Sequence, residues 1–205
     1  MLLDKLKNYD IILASGSPRR QQLLAEMDVP FRVQTKPVEE AFPQGLSPEE
    51  TAAWLCRLKS DAFSADELNE NTLLITADTV VALGNQILGK PAGKKWAEAM
   101  LRALSGKKHV VITGVCLRTR EKIVVFTAST DVWFKPLSEE EIRYYIAHYK
   151  PFDKAGAYGI QEWIGHAAIE KIAGSYFNVM GLPTHRLYGE LEAFFAPSFR
   201  PLREP

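Results

Sequence analysis

The chain has 205 residues, of which 46% are hydrophobic and 24% charged, a composition typical of globular proteins. Its 25 basic and 25 acidic residues cancel, so no overall field attracts nucleic acid or an anionic membrane, and an anion site must be built locally. The N-terminus lacks an apolar run of signal-peptide length, and no later run could span a bilayer. We therefore expect a cytoplasmic protein with neither a membrane nor a nucleic-acid partner. Its two distant cysteines, Cys56 and Cys116, predict buried free thiols.

Apolar periodicity and turn residues predict helices that alternate with strands. In chain order we expect a strand at 11–14, a helix from 18 to about 27, a strand at 31–34, a helix from 48 to about 63, a strand at 72–83 that turns back at 84–85, a helix at 94–104, two antiparallel strands at 108–118 and 122–133, a helix within 137–149, a strand near 167–172 and a helix at 187–195. This order predicts an α/β fold, a mixed twisted sheet flanked by helices. Residues 1–195 would form one domain, and residues 196–205 a C-terminal tail.

The stretch "ASGSPRRQQLL" places two arginines where the first strand is followed by a helix. A helix N-terminus offers free N–H groups and a partial positive charge, which suit an anion. Arg19 and Arg20 oppose the helix dipole unless an anion is bound. The hydroxyls of Ser15 and Ser17 can donate to phosphate oxygens, and the glycine between them allows a close approach. The pattern indicates a phosphate site, and a solvated helix start with two surface arginines is the alternative.

Charged residues in and after the long central strand form a second candidate site. Asp78 interrupts an apolar run, which is unfavourable unless it caps a turn or binds a ligand. We place Asp78 at the end of its strand, where α/β proteins collect ligands. Lys90 ends the pattern GxxxxGK, but Pro91 stands where a P-loop needs Ser or Thr, so we exclude a P-loop. Glu40 and Lys59 are ordinary surface residues on the pattern alone.

The glycine-rich segment "DKAGAYGIQ", residues 153–161, is the third candidate, because its small residues permit a close approach to a ligand. The carboxamide oxygen of Gln161 could accept from N3–H of uracil or thymine while its NH₂ group donates to O4. The flipped amide would suit cytosine, and an exposed residue with no ligand is a further alternative. The four histidines lack metal-ligand spacing, and we expect them to be structural or surface residues.

Taken together, these motifs resemble those of the Maf family. "LASGSPRRQQLL", Glu40, "LCRLKS", "ITADTVV", "ILGKP", "DKAGAYGIQ" and "GSYFNVMGLP" occur in that family's order and spacing. The resemblance implies an architecture related to the inosine triphosphate pyrophosphatases (Maf/Ham1), with two merged lobes and a central cleft. It also implies a nucleoside triphosphate pyrophosphatase that cleaves between the α and β phosphates and releases a nucleoside monophosphate and pyrophosphate.

The same resemblance assigns roles to the catalytic candidates. Asp78 matches the family's proposed proton acceptor, while Glu40, Lys59 and Lys90 match charged residues of its catalytic cleft. Glu40 and Asp78 would also hold a divalent cation, Mg²⁺ or Mn²⁺. The positions expected to bind the substrate are Ser15, Ser17, Arg19, Arg20, Thr79, Asp153, Lys154 and Gln161.

Three of the substrate-binding positions, Arg19, Thr79 and Gln161, match the branch of the family that acts on dTTP and UTP. One departure lies next to them, because Glu162 stands where a glycine is usual. The family resemblance further implies a homodimer. The alternative function is a non-catalytic nucleotide-binding regulator of septum formation.

Overall fold

The computed structural model describes residues 1–196. Its helices and strands in this range are α1 (Leu2–Leu6), β1 (Asp10–Leu13), α2 (Pro18–Ala25), β2 (Arg32–Val33), α3 (Pro48–Asp61), β3 (Thr72–Leu83), β4 (Gln86–Leu88), α4 (Lys94–Leu104), β5 (Lys108–Arg118), β6 (Ile123–Phe134), α5 (Glu139–Tyr149), α6 (Trp163–Ala168), β7 (Ile169–Ala173), α7 (Tyr176–Met180) and α8 (Thr184–Phe194). None of these helices has the length and apolar character needed to cross a membrane. The predicted tail at 196–205 lies outside the described residues except for Ala196, and the single domain over 1–195 stays a prediction.

The strands form one mixed sheet in the order β2-β1-β3-β5-β6-β7, with β4 paired to β3. Strand β1 runs parallel to both β2 and β3, whereas β3, β5, β6 and β7 pair antiparallel in succession. Helices cover both faces of this sheet, which confirms the predicted fold class. The long antiparallel pair that the sequence predicted after residue 108 is β5 with β6.

The sheet opens beside the middle of β3. Strand β1 pairs with β3 only as far as Leu13 opposite Ile75, and β4 joins β3 only from Val81 onward. On the other side, β5 pairs with β3 continuously from Leu74 to Ala82. The stretch of β3 between Ile75 and Val81 therefore has no strand partner on one side, and a cleft lies at this opening.

Side chains of β3 alternate between two apolar layers, as expected of a strand that is buried on both faces. Leu73, Ile75 and Ala77 belong to the large core shared with α2, α4, α5 and α8. Val80 and Ala82 belong to a smaller core with Ala52 and Leu55 of α3. Consecutive residues of β3 thus face different helices.

Helix α3 begins at a capping box and lies unusually close to the sheet. Ser47 accepts a hydrogen bond from the Glu50 N–H, and the Glu50 side chain accepts one from the Ser47 N–H, as "SPEE" predicts. A Cβ added to Gly114 of β5 would lie 2.2 Å from the carbonyl oxygen of Ala52. Only glycine at this position lets α3 approach the sheet so closely.

The structure adds short helices that periodicity did not predict. Helices α1, α6 and α7 have five or six residues each, too few to show a helical repeat, and depend on tertiary packing. The predicted strand near 167–172 starts later, at Ile169, because the two preceding alanines end α6. Helix α2 ends at Ala25, two residues before the predicted end.

Candidate active site

A cavity of about 640 Å³ occupies the opening in the sheet. A volume of this size is typical of sites that bind small molecules and cofactors. Every side chain that the sequence proposed for chemistry lines it, from six separate parts of the chain. These residues are Ser15, Ser17, Arg19, Arg20, Glu40, Lys59, Asp78, Thr79, Lys90, Asp153, Lys154 and Gln161.

The turn before α2 forms one wall of the cavity and is built to receive an anion. Ser17 occupies the N-cap position, but its side chain makes no capping hydrogen bond, and the first turn of α2 contains no acidic residue. The free N–H groups of the helix start and the Ser17 hydroxyl are therefore available to a ligand. Ser15 is buried, and its Oγ accepts a hydrogen bond from the Ser17 N–H at 3.3 Å.

Arg20 is held in this wall entirely by neutral acceptors. Its Nε donates to the Gly181 carbonyl at 2.8 Å, its Nη1 to Ser15 Oγ at 3.3 Å and its Nη2 to Thr79 Oγ1 at 3.0 Å. Partial burial and the neighbouring charge of Arg19 lower the pKa of Arg20, against the opposing effect of the Asp78 carboxylate. Within residues 1–196 no carboxylate forms an ion pair with Arg20, so its charge is available to an anionic ligand.

Arg19 is also oriented by a carbonyl at the end of α7, but unlike Arg20 it has an acidic partner. Its Nε donates to the Met180 carbonyl at 3.3 Å, and its Nη1 pairs with the Asp153 carboxylate at 3.2 Å. The sequence did not predict that carbonyls at the end of α7 hold both Arg19 and Arg20. The motif "GSYFNVMGLP" signalled that the segment matters, but not how.

A buried polar cluster holds α7 against the sheet beneath these arginines. Thr79 and Thr113 share a hydrogen bond at 2.9 Å, and Thr113 donates to the Asn178 carbonyl at 3.1 Å. The Asn178 side chain donates to Thr130 Oγ1 at 2.9 Å and to the Val111 carbonyl at 3.1 Å. This cluster couples Arg20 to the core of the sheet, so the position of its guanidinium is set by tertiary structure.

A second wall of the cavity carries alternating charges centred on Lys59. The Lys59 ammonium of α3 contacts the carboxylate of Asp78, and it pairs with Glu40 at 2.9 Å. The Lys90 ammonium reaches the other carboxylate oxygen of Glu40 at 3.5 Å. Partial burial would raise the pKa of Glu40, but the Lys59 hydrogen bond and the two ammonium charges outweigh it and lower this pKa below its ordinary value. Glu40 is therefore a carboxylate at neutral pH.

Asp78 lies in the middle of β3, not at the end of its strand as the sequence suggested. It is only 8% exposed, and it faces the side of the sheet that α3 covers. The reason is that β3 continues eight residues beyond Ile75, the last residue paired with β1, so the ligand-binding end is that of β1 alone. The carboxyl end of β1 does lie at the cavity, as expected for an α/β protein. Asp78 lines the cavity from the middle of β3 instead of from a strand end.

The glycine-rich segment closes the third side of the cavity. Lys154 is 8% exposed and pairs with Asp153 at 2.8 Å and with Glu162 at 3.1 Å. The oxygen Oε1 of Gln161 is buried without a hydrogen-bond partner among residues 1–196. Because a buried carbonyl oxygen normally has a donor, the Gln161 amide has an unsatisfied acceptor beside the cavity that this residue lines.

The donor set for a metal ion is small. Among residues 1–196 there is no group of three or more His, Cys, Asp and Glu side chains close enough to bind one ion. Glu40 and Asp78 do lie close together, since one ammonium contacts both. Two carboxylates suit Mg²⁺, which keeps several waters and completes its shell with phosphate oxygens of the substrate.

The fold and the cavity define an α/β protein whose cleft is built for a small polyanionic ligand. The family model described as "Maf-like protein" matches residues 10–194, and the chain belongs to this family. A protein of Porphyromonas gingivalis named "dTTP/UTP pyrophosphatase" is 50% identical over 94% of this chain and 98% of its own. A protein of the same name from Bacteroides thetaiotaomicron is 52% identical over 93% of this chain and 99% of its own.

Two solved structures also match. The Ham1 protein of Staphylococcus aureus has a TM-score of 0.43 and 17% identity, and the match covers 61% of this chain and 71% of the other. The HAM1 protein of Coxiella burnetii has a TM-score of 0.37 and 16% identity, over 62% of this chain and 73% of the other. At these TM-scores the likeness is remote.

Proposed function

We propose that this protein hydrolyses dTTP and UTP to the nucleoside monophosphate and pyrophosphate. Relatives about half identical to it along nearly their whole length carry the name of that activity. The observation that carries the proposal is the arrangement of the cavity walls. Arg20, a cation with no carboxylate partner in the part of the chain that the structure describes, faces the same space as the Lys59-bridged carboxylates of Glu40 and Asp78. An anionic substrate bound in this space would lie beside a carboxylate that can accept a proton from water.

The triphosphate would bind between the two walls. The start of α2 offers backbone N–H groups, the Ser17 hydroxyl and the guanidinium of Arg20 to phosphate oxygens. Lys90 is more than half exposed at the cavity and can offset charge on the departing pyrophosphate. These groups are in place before the substrate arrives, which is how enzymes stabilise charge that develops in phosphoryl transfer.

Asp78 would accept the proton of the attacking water. One of its oxygens is held by the Lys59 ammonium, which leaves the second oxygen for a water in line with the α-phosphorus. Lys59 on α3 would orient the Asp78 carboxylate on β3 through their direct contact. The phosphorus–oxygen bond to the leaving pyrophosphate breaks as the water oxygen bonds to phosphorus, and Asp78 takes up the proton.

A divalent cation would be held by Glu40 and Asp78 together with substrate oxygens. When bound there, Mg²⁺ or Mn²⁺ would neutralise charge on the phosphates. Asp153 and Lys154, with Arg19, would bind the nucleotide on the side of the cavity nearest the base. Gln161, which lines the cavity, would contact the base itself through its carboxamide.

Incubation with UTP and Mg²⁺ tests the proposal directly. We expect pyrophosphate and UMP as products, because the attack is at the α-phosphorus. Inorganic phosphate would instead indicate cleavage at the γ-phosphorus, and the absence of any product would contradict enzymatic activity. A panel of dTTP, UTP, CTP and 7-methyl-GTP then measures the preference for the base.

We also propose that the protein works in the cytoplasm as a homodimer. The cytoplasm holds the nucleoside triphosphates that the cavity would bind. The homodimer follows from the family resemblance, and sedimentation equilibrium measures the oligomeric state of the full chain.

A further inference from the structure

Glu40 lies on a segment, residues 35–42, that contains neither helix nor strand. Among residues 1–196, the backbone of this segment makes one backbone-to-backbone hydrogen bond, from the Ala41 N–H to the Glu39 carbonyl at 2.8 Å. Both groups belong to the segment itself, so this bond does not tie it to the rest of the molecule. Glu40 nevertheless reaches the Lys59 ammonium at 2.9 Å in the cavity. The position of the segment therefore depends on contacts of side chains.

Lys36 holds the start of the segment at the C-terminal end of α3. Its ammonium donates to the carbonyl of Ala62, the residue that follows the helix, at 3.0 Å. It also pairs with the Glu67 carboxylate and lies 4.9 Å from the centre of the Phe63 ring. A cation at this end of a helix is favourable, because the last carbonyls carry partial negative charge.

Trp54 of α3 holds the segment on the other side of Glu40. Its indole N–H donates to the carbonyl of Ala41, the residue next to Glu40, at 3.1 Å. The side chain of Trp54 is 44% exposed, so filling the core does not account for it. Trp54 is also not among the residues that line the cavity. Its specific contact is the hydrogen bond to the segment.

The segment runs antiparallel to α3, with Glu40 between the two attachments. In chain order, the paired positions are Lys36 with Ala62, Glu40 with Lys59, and Ala41 with Trp54. The same helix reaches Asp78 of β3 through Lys59. Helix α3 therefore sets the position of both carboxylates, Glu40 through the segment and Asp78 directly.

We propose that Trp54 and Lys36 are positioning residues that fix the segment 35–42 along α3 and so keep the Glu40 carboxylate in place for a divalent cation. Without these attachments the carboxylate would occupy its place for only part of the time. The apparent affinity for the cation would fall by that fraction. This inference rests on the proposed function, in which Glu40 helps to hold Mg²⁺ or Mn²⁺.

Trp54→Phe removes the N–H donor and keeps an aromatic ring. The Mg²⁺ concentration that gives half-maximal hydrolysis of UTP should rise about fivefold, the size of one net hydrogen bond. At saturating Mg²⁺, kcat should stay near that of wild type, because a ligand that binds the ordered segment shifts the population back to it. Lys36→Met should raise the Mg²⁺ requirement in the same way.

Hydrogen–deuterium exchange of the metal-free protein measures the attachment without any activity. In Trp54→Phe we expect the amides of the segment 35–42 to exchange about fivefold faster, with exchange in β3 unchanged. Trp96→Phe is the matched control, since Trp96 of α4 is 63% exposed and is not among the residues that line the cavity. It should change neither the exchange of the segment nor the Mg²⁺ requirement.

Two outcomes would overturn this inference while leaving the proposed function intact. One is an active wild type whose exchange and Mg²⁺ requirement are unchanged in both Trp54→Phe and Lys36→Met. The other is a lower kcat at saturating Mg²⁺ with an unchanged Mg²⁺ requirement, which would indicate a general structural role. A wild type that releases no pyrophosphate from UTP would contradict the proposed function, and faster exchange in Trp54→Phe would then still support the attachment of the segment.

Discussion

The ammonium of Lys59 on α3 contacts the carboxylate of Asp78 in the middle of β3. This contact joins an element of the outer layer to the central strand at the point where the sheet opens. It exists because Gly114, the residue of β5 paired with Asp78, lets α3 lie against the sheet. The catalytic wall of the cavity therefore depends on a close helix-to-sheet approach as well as on the charged residues themselves.

Replacement of Asp78 by asparagine should reduce kcat for UTP by about 10²–10⁴-fold, the usual cost of losing a general base. The fold should persist, because the amide fills the same volume beside Lys59. Asp131→Asn is the matched control. Asp131 of β6 pairs with Lys108 of β5 at 2.8 Å, outside the cavity. Steady-state kinetics and circular dichroism of both variants check the assignment, and turnover of D78N near that of wild type would refute it.

Arg20→Met should weaken phosphate recognition without unfolding the protein. The guanidinium has only neutral acceptors, so its charge contributes chiefly to ligand binding, and we expect kcat/KM to fall by about 10- to 100-fold. Pyrophosphate at about 100 times its Kd should stabilise the wild type by about 2.7 kcal/mol and the variant far less.

The control for Arg20 is Arg32→Met. Arg32 pairs with Asp10 at 2.8 Å at the edge of the sheet, so its charge is already balanced. Thermal unfolding with and without pyrophosphate measures how much this ligand stabilises the wild type, Arg20→Met and Arg32→Met. Equal stabilisation of wild type and R20M by pyrophosphate would show that Arg20 does not bind the phosphates.

Gly114→Ala should separate α3 from the sheet. The new Cβ would overlap the Ala52 carbonyl, a backbone atom that cannot rotate away, so we expect a loss of stability of about 3 kcal/mol. Activity should fall with it, because Lys59 moves away from Asp78. Gly189→Ala provides the opposite control: this exposed glycine of α8 has no atom within 4 Å of the added Cβ, and alanine should add about 0.5–1 kcal/mol. Urea unfolding of both variants measures the difference.

His109 should make the protein less stable in mild acid. It is 1% exposed, and its Nε2 lies 2.7 Å from the Tyr158 hydroxyl. Burial lowers its pKa from the ordinary 6.5 to about 4, so the unfolded chain binds a proton more readily than the folded one. Its contribution is complete above pH 6.5 and is lost as the pH falls toward 4, by about 2 kcal/mol between pH 7.5 and 5. Urea unfolding at these pH values should show a smaller drop for His109→Gln than for wild type.

Local patterns predicted the regular elements well. The strand at 72–83 and the helix at 94–104 begin and end where the sequence placed them, and the capping box at Ser47 is present. These signals act within a few residues, through capping and alternation of apolar side chains. Helices α6 and α7 escaped prediction because five or six residues carry too little periodicity. Helix α7 is held by contacts with distant strands, such as those of Asn178 with Val111 and Thr130.

The sequence by itself determined which residues are chemically suited to the cleft, because a helix start with two arginines, an aspartate in a buried strand and a glycine-rich loop are local patterns. Tertiary structure decided how these residues are connected. Among residues 1–196 it left Arg20 without a carboxylate, gave Lys59 two of them, and brought the side chains of Gln161 and Glu162 over Gly159. Ion pairing depends on distances between segments far apart in the chain, which only the packing of helices against the open sheet defines.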